Sequence, residues 1–321
     1  MNTPCFTKPA VFLDAATVGK DVDLSAIQLL TPLTVYDLTP PADIGTRLKN
    51  AEIVITNKCV LNETIFAQCP NLRLIASTAT GTDNIDLVAA AARGITVRNA
   101  CAYATQSVTQ HTLALMLALA IRLPEYQKLI TQGGWSKSPF FCRLDYSVIE
   151  LAGKTLLIVG YGELGRAVAH AAQAALNMRV IAASRVGEPA GTQDGILRRP
   201  LHECLSEADV ISLHCPLTPQ TTKLIGAPEF ALMKPETMLI NTARGGLIDE
   251  KALASALRAN RIRGAALDVL SQEPPPVDHP LLAPDIPHLI ITPHTAWASL
   301  KARQAAITQV ADNIRAFLVS P

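Results

Sequence analysis

The stretch Lys154-Thr-Leu-Leu-Ile-Val-Gly160-Tyr-Gly162-Glu163-Leu164-Gly165-Arg-Ala-Val-Ala169 sets G-x-G-x-x-G between an apolar, β-branched run and an Ala-rich run. Strand, tight turn and helix are the expected order. Gly160 permits the sharp turn, Gly162 lets a pyrophosphate approach the backbone, and Gly165 lets the helix lie close on the strand. The N–H groups at the helix start, Glu163 and Leu164, face the anion. A glycine-rich turn alone occurs in many loops. A strand before, a helix after and further strands downstream favour dinucleotide binding over a purely structural turn.

Outward from this motif, short β-branched runs alternate with Ala/Leu-rich segments, the signature of an α/β chain with parallel sheets covered by helices. Strands are expected at Ala10–Asp14, Leu33–Tyr36, Ile53–Thr56, Leu72–Ser77 and Thr96–Arg98, enough for one sheet. A long helical pattern from Tyr103 to about Leu123 leads to a second series: Thr155–Val159, Arg179–Ala182, Val210–Leu213, Met238–Asn241, Gly264–Val269 and Leu289–Thr292. Six strands fit a dinucleotide-binding sheet. The Gly-, Pro- and Arg-rich segment Ser184–Pro200 reads as a loop beside the cofactor edge. The helical segment Ser299–Val319 is expected to return to the first domain. The predicted domains are 1–101 with 295–321, and 102–294.

A length of 321 residues suggests roughly two domains at about 150 residues each, and 49% hydrophobic with 17% charged residues is ordinary globular composition. Lys+Arg 28 against Asp+Glu 27 leaves a net charge of +1, no footprint for nucleic acid or an anionic membrane. The apolar run at Leu113–Ile121 is short of the roughly 20 residues of a bilayer span. The N-terminus lacks the pattern of a signal peptide. Seven scattered cysteines with no CxxC spacing fit reduced thiols rather than disulfides or a metal site. A cytoplasmic enzyme of small molecules is the expectation, without metal, nucleic acid or membrane.

The end of the second strand of the dinucleotide sheet should set cofactor choice. An acidic residue there suits the ribose hydroxyls of NAD, and an Arg suits a 2′-phosphate. Ser184 and Arg185 stand at that place, with no carboxylate before Glu188, so NADP is preferred and NAD remains possible. The alternative for Arg185 is a solvated loop residue. Three downstream segments carry polar groups just past apolar strands: Asn241-Thr-Ala-Arg244, Asp268-Val-Leu-Ser-Gln-Glu273 and Pro293-His294-Thr-Ala-Trp297. All should emerge at one carboxyl edge, where open α/β sheets bind ligands. Hydride transfer to a 2-oxo acid needs a cation for the carboxylate and carbonyl, and an acid for the nascent alkoxide. Arg244 suits the first with its planar guanidinium. His294 suits the second, with Glu273 on its other ring nitrogen to fix orientation and favour the protonated ring. The other histidines have no comparable local argument and read as structural.

The succession GYGELG, INTARGGLID, LDVLSQEPP and TPHTAWAS, over nearly the whole chain, resembles the D-isomer-specific 2-hydroxyacid dehydrogenases. The resemblance implies the catalytic set Arg244, Glu273 and His294. It implies a Rossmann-type domain and a flavodoxin-like substrate domain with the active site in the cleft between them, and a homodimer formed through the cofactor domain. It implies that backbone N–H groups at Thr80 and Gly81 bind the substrate carboxylate, with Lys58 a secondary candidate against a plain surface charge. It implies cofactor contacts at Thr109, Cys215, Pro216, Thr242, Ala243, Asp268 and His294. Within the family the likeness is nearest to glycerate dehydrogenases, also called hydroxypyruvate reductases, through FLDAAT, CAYATQSVTQHT and SPFFCRLDYSVIELAGKTL.

Two departures matter. The missing acid at Ser184-Arg185 argues against NAD preference, and Glu273 in place of glutamine argues against a formate dehydrogenase. The chain ends soon after His294, so no regulatory extension is expected. Hydroxypyruvate and glyoxylate, interconverted with D-glycerate and glycolate, are the expected substrates. The alternative within enzymes is a broader D-2-hydroxyacid dehydrogenase, decided by pocket shape around Phe140, Phe141, Leu144 and Trp297. The alternative from another class is a non-catalytic dinucleotide-sensing protein of the same fold.

Overall fold

The computed structural model describes residues 8–185 and 187–319. Two compact units divide the chain, Met1–Ala104 with Trp297–Pro321, and Thr105–Ala296. In the first unit, β1 (Ala10–Phe12), β2 (Leu33–Val35), β3 (Ile53–Thr56), β4 (Leu74–Ser77) and β5 (Thr96–Arg98) form a parallel sheet in the order β2-β1-β3-β4-β5. This is the flavodoxin-like order 2-1-3-4-5. The intervening helices are α1 (Ser25–Gln28), α2 (Ile44–Leu48), α3 (Glu63–Gln68) and α4 (Leu87–Ala92). Asn62 and Asp86 cap α3 and α4, accepting from the N–H groups of Ile65 and Ala89. Every residue of β3 and β4 is buried, as a parallel strand covered on both faces requires. One cover is the C-terminal helix Leu300–Val319, whose Ile307, Val310, Ala311 and Ile314 pack with Phe12, Ile53, Ile55 and Leu74. The first strand stops at Phe12, short of the expected Asp14, because the Asp14 carboxylate turns to collect N–H groups from the loop after β3.

The second unit contains α5 (Thr105–Ala120), α6 (Leu123–Thr131), β6 (Thr155–Val159), α7 (Glu163–Leu176), β7 (Arg179–Ala183), β8 (Gly191–Gln193), β9 (Ile196–Arg199), α8 (Leu201–Leu205), β10 (Val210–Leu213), α9 (Ala227–Leu232), β11 (Met238–Asn241), α10 (Glu250–Arg258), β12 (Gly264–Leu267) and β13 (Leu289–Ile291). Their sheet runs β13-β12-β11-β10-β6-β7-β9-β8, parallel but for β8. Its segment β9-β7-β6-β10-β11-β12 has the Rossmann order 3-2-1-4-5-6, so the order reverses between β6 and β10. Alternate residues of β6 serve opposite cores. Leu156 and Ile158 meet Met116, Leu119, Val168 and Ala172 of α5 and α7; Leu157 and Val159 join Leu205, Phe230 and Leu253 on the other face.

Two sequence expectations need correction. The segment Ser184–Pro200 is not all loop, and the sheet has eight strands rather than six. Asp194 (φ 53°) and Gly195 (φ 77°) both take positive φ, the two-residue turn that closes the β8–β9 hairpin, and β9 then continues the parallel sheet beside β7. The helix expected from Tyr103 to about Leu123 is found as Thr105–Ala120, and a second helix that was not expected, Leu123–Thr131, follows it. Arg122 sits in the left-handed region at φ 54°, and Pro124 starts a new first turn. Among the described residues no helix is long and apolar enough to cross a membrane. Cys5 lies outside the described residues; the other six cysteines carry free thiols.

A β-carbon on Gly165 would lie 2.2 Å from the Gly160 carbonyl oxygen and 2.9 Å from Ile158 Cγ2. Backbone cannot yield to that. Gly165→Ala is expected to cost about 1–3 kcal/mol, seen calorimetrically as a melting temperature several degrees lower; an unchanged melting temperature would contradict the packing argument. A second test concerns His214, just past β10. Burial pulls its imidazole down from 6.5 to about 4, and Nδ1 is buried with no hydrogen-bond partner among the described residues while Nε2 meets Ser212 Oγ at 2.8 Å. Its folded form stays neutral. Between pH 6.5 and about 4 the unfolded chain binds a proton that the folded chain refuses, so stability is lost as pH falls through that window. The loss is at most about 3 kcal/mol. Melting temperatures of His214→Gln should fall less steeply over this window than those of the parent, and parallel curves would contradict the assignment.

Candidate active site

Gly160, at φ 99°, is a tight point of the second unit. A β-carbon there would lie 2.4 Å from Cys215 N and 2.6 Å from the His214 carbonyl carbon. The glycine turn after β6 therefore rests on the backbone after β10, where the strand order reverses and α/β sheets take ligands. A β-carbon on Gly162 would meet nothing within 4 Å, so the backbone there is open to close approach. The fourteen-residue helix α7 starts at Glu163 with its N–H groups toward this opening. Glu163 accepts from the Thr105 hydroxyl, tying the helix start to α5. Burial pushes the Cys215 thiol up to about 11, so it forms a neutral wall.

Thr109, on α5, has a buried hydroxyl with no partner among the described residues. Such an orphaned polar atom is costly unless a ligand satisfies it. Thr112 Oγ1 lies 3.1 Å from Thr242 Oγ1, which brings α5 to the end of β11. Beside it, fully buried Asn241 donates from Nδ2 to the Arg244 carbonyl at 2.9 Å and accepts from Ala243 N at 3.0 Å, fixing the turn. Open backbone at Gly162, the free helix start and the orphaned Thr109 hydroxyl fit a dinucleotide. Ser184 and Arg185 follow β7 at the same edge. Ser184 N donates to the Arg199 carbonyl, and Arg185 is largely exposed beside Glu188.

The polar segments follow β11, β12 and β13, three adjacent parallel strands, and so leave the same edge. Gly245 brings the first two together. A β-carbon there would lie 1.9 Å from the Leu270 carbonyl carbon and 2.3 Å from Ser271 N, so the turn carrying Arg244 lies on the loop carrying Glu273. Arg244 Nη1 donates to the Ala243 carbonyl at 2.8 Å. Glu273 Oε1 accepts from Leu270 N at 2.9 Å, and its Oε2 stands 2.6 Å from His294 Nδ1. That bond orients the imidazole. Both side chains are about one-third exposed, at 34% and 29%.

Asp268, buried at the end of β12, accepts from Thr292 Oγ1 at 2.5 Å, Thr295 N at 2.9 Å and Ala296 N at 2.8 Å. Its carbonyl takes His294 N at 2.8 Å. His294 itself holds φ 54°, a conformation maintained by these bonds. Sequence reasoning left His111 as structural, yet its Nε2 lies 3.0 Å from Thr292 Oγ1 and 3.5 Å from Asp268 Oδ1. His111 was legible only through register, since it supports the site from a neighbouring element, whereas Asn241 stands in the same segment as Arg244.

In the first unit, Thr80 Oγ1 donates to the Ala100 carbonyl at 2.9 Å and the Thr80 carbonyl accepts from Asn99 Nδ2 at 2.8 Å, which fixes the Thr80-Gly81 loop after β4. The neighbouring Thr78 hydroxyl is buried without a partner among the described residues. Lys58 follows β3, and its N–H donates to Asp14 Oδ2 at 2.6 Å, beside the N–H groups of Asn57 and Cys59. Asp14, absent from the sequence-based site, organises this loop. Trp297 stacks edge-on against Tyr103 with ring centroids 6.3 Å apart.

Comparison with known proteins agrees with this geometry. Residues 113–296 match the family described as "D-isomer specific 2-hydroxyacid dehydrogenase, NAD binding domain". The chain is 43% identical over 313 residues to the glycerate dehydrogenase of Methylorubrum extorquens, covering 97% of this chain and 96% of that one. It is 37% identical to the hydroxypyruvate reductase of Blautia hydrogenotrophica, covering 93% and 92%. Among solved structures it is similar to an NADPH-dependent glyoxylate/hydroxypyruvate reductase of Sinorhizobium meliloti, crystallised with NADP and malonate, at TM-score 0.80 and 25% identity over 98% and 94% of the chains. With a shared sequence over nearly its full length and a Rossmann sheet carrying the family's segments in order, the chain belongs to the D-isomer specific 2-hydroxyacid dehydrogenases, oxidoreductases of the CH–OH group.

Proposed function

We propose that this enzyme reduces small 2-oxo acids, foremost hydroxypyruvate and glyoxylate, to D-glycerate and glycolate, with NADP preferred over NAD. The observation that carries the reading is the 2.6 Å contact of Glu273 Oε2 with His294 Nδ1. A bound nicotinamide dinucleotide supplies the hydride. His294 gives a proton from Nε2 to the oxygen that becomes the alkoxide, and Glu273 holds the ring in place and stabilises its charged form. Arg244 grips the substrate carboxylate and polarises the carbonyl with a planar, permanently charged fork. In the first unit, the N–H groups of Thr80 and Gly81 bind the carboxylate, with Lys58 adding positive charge and Trp297 an apolar wall.

Gly160, Gly162, Gly165 and the helix-start N–H groups of Glu163 and Leu164 seat the pyrophosphate. Thr109, Cys215, Pro216, Thr242, Ala243, Asp268 and His294 line the nicotinamide side. Ser184 and Arg185 meet the 2′-phosphate. Support for NADP is the absence of an acid at the end of β7, and support for the small substrates is the names of the relatives above. Phe140, Phe141 and Leu144 are each more than two-thirds exposed, an apolar arm that supports a homodimer through the dinucleotide-binding unit. Free, scattered thiols support a cytoplasmic location.

Steady-state oxidation of NADPH and NADH, with hydroxypyruvate, glyoxylate, pyruvate and phenylpyruvate in parallel, tests the reading. Fastest turnover of hydroxypyruvate with NADPH is expected; cofactor binding without oxidation by any 2-oxo acid would favour a dinucleotide sensor instead. His294→Ala should lower kcat by about 10²–10⁴ with cofactor affinity kept, and Arg244→Ala should damage both kcat and KM. Equal, mild losses in both would contradict the roles.

A further inference from the structure

The β8–β9 hairpin places a second guanidinium beside the one expected to read the 2′-phosphate. Arg198, on β9, pairs in register with Ala182 of β7 and stands next to the Ser184–Arg199 backbone bond. Its Nη2 donates to Glu188 Oε2 at 2.8 Å, and its Nη1 donates to Gln193 Oε1 at 2.9 Å. Arg185 Nη1 lies 3.7 Å from Glu188 Oε1. One carboxylate thus sits between two arginines at the carboxyl end of β7. Gln193, across the hairpin, holds one arm of Arg198, and Arg198 Nε is buried with no partner among the described residues. Arg166 of α7 pairs with Asp194 in the hairpin turn at 3.2 Å, pinning the hairpin to the helix that opens at the glycine motif.

We propose that Arg198 and Arg185 together form the 2′-phosphate seat, and that Glu188 is an internal anion occupying that seat until a phosphate displaces it. The inference rests on the NADP reading above and adds two residues to it. A phosphate dianion brings more charge and more acceptor oxygens to paired guanidiniums than one carboxylate does, so it outcompetes Glu188. The exchange has a cost. Every phosphate that enters must break the Arg198–Glu188 bond, so apparent affinity is discounted by the fraction of molecules with the seat already free. NADH brings no 2′-phosphate, leaves Glu188 in place and is tolerated by the same site. Glu188 thereby sets the margin between the two cofactors.

Calorimetric titration of the whole protein with adenosine 2′,5′-bisphosphate and with ADP separates the terms, since only the first carries the 2′-phosphate. Arg198→Gln should weaken the 2′,5′-bisphosphate about tenfold or more while ADP changes less than about twofold. Glu188→Gln should tighten the 2′,5′-bisphosphate about threefold or more, again with ADP unchanged. Retained ADP binding shows that both variants keep the folded cofactor site. If the parent protein prefers the 2′,5′-bisphosphate but neither variant alters that preference, the roles of Arg198 and Glu188 fall and the NADP reading stands. If the parent shows no preference for the 2′,5′-bisphosphate over ADP, the NADP reading and this inference fall together.

Discussion

The Asp268 carboxylate is the constraint around which the catalytic end of the second unit is built. One buried anion at the tip of β12 collects Thr292, Thr295 N and Ala296 N, all from the segment after β13. The Asp268 carbonyl takes His294 N as well. A buried carboxylate is costly unless several donors surround it, and satisfying it here forces the chain after β13 to fold back over β12. That fold-back is what carries His294 to Glu273. Without it the imidazole would leave the sheet edge on a strand end with no fixed direction.

Two glycines impose the matching constraint from the other side. Gly160 lets the turn after β6 lie on the backbone of His214 and Cys215, and Gly245 lets the turn after β11 lie on Leu270 and Ser271. In both places a single β-carbon would collide with backbone rather than with a movable side chain. The carboxyl edge is therefore layered from loops in direct main-chain contact, which limits how far Arg244 and Glu273 can drift apart. Rigid support of this kind suits groups that must act on one small substrate. A second carboxylate repeats the device in the first unit, where Asp14 fixes the Asn57–Cys59 loop.

Much of this was legible in the sequence, and the physical reasons are specific. Strands such as Ile53–Thr56, Thr155–Val159 and Val210–Leu213 are buried on both faces and read as mostly apolar runs. The segments bearing Arg244, Glu273 and His294 were marked by polar groups directly after such runs. The β8–β9 hairpin was not recognised because its strands are short and polar and its Gly, Pro and Arg content resembles a loop. Only Asp194-Gly195 signalled a turn. Asp14 and His111 were missed for another reason. Each acts on the site by hydrogen bonds to a distant segment, and nothing in local pattern reports a partner across the sheet. The helix Leu123–Thr131 was missed because Pro124, which here lies in its first turn, reads in sequence as the end of the helix before it.

In the proposed mechanism Glu273 and His294 work as one acid, the carboxylate acting only through the ring it holds. A double-mutant cycle on kcat for hydroxypyruvate reduction, with Glu273→Ala, His294→Ala and both together, tests it most directly. Adding Glu273→Ala to His294→Ala is expected to cost almost nothing further. Additive losses, with the double variant slowed by the product of the two single effects, would contradict it.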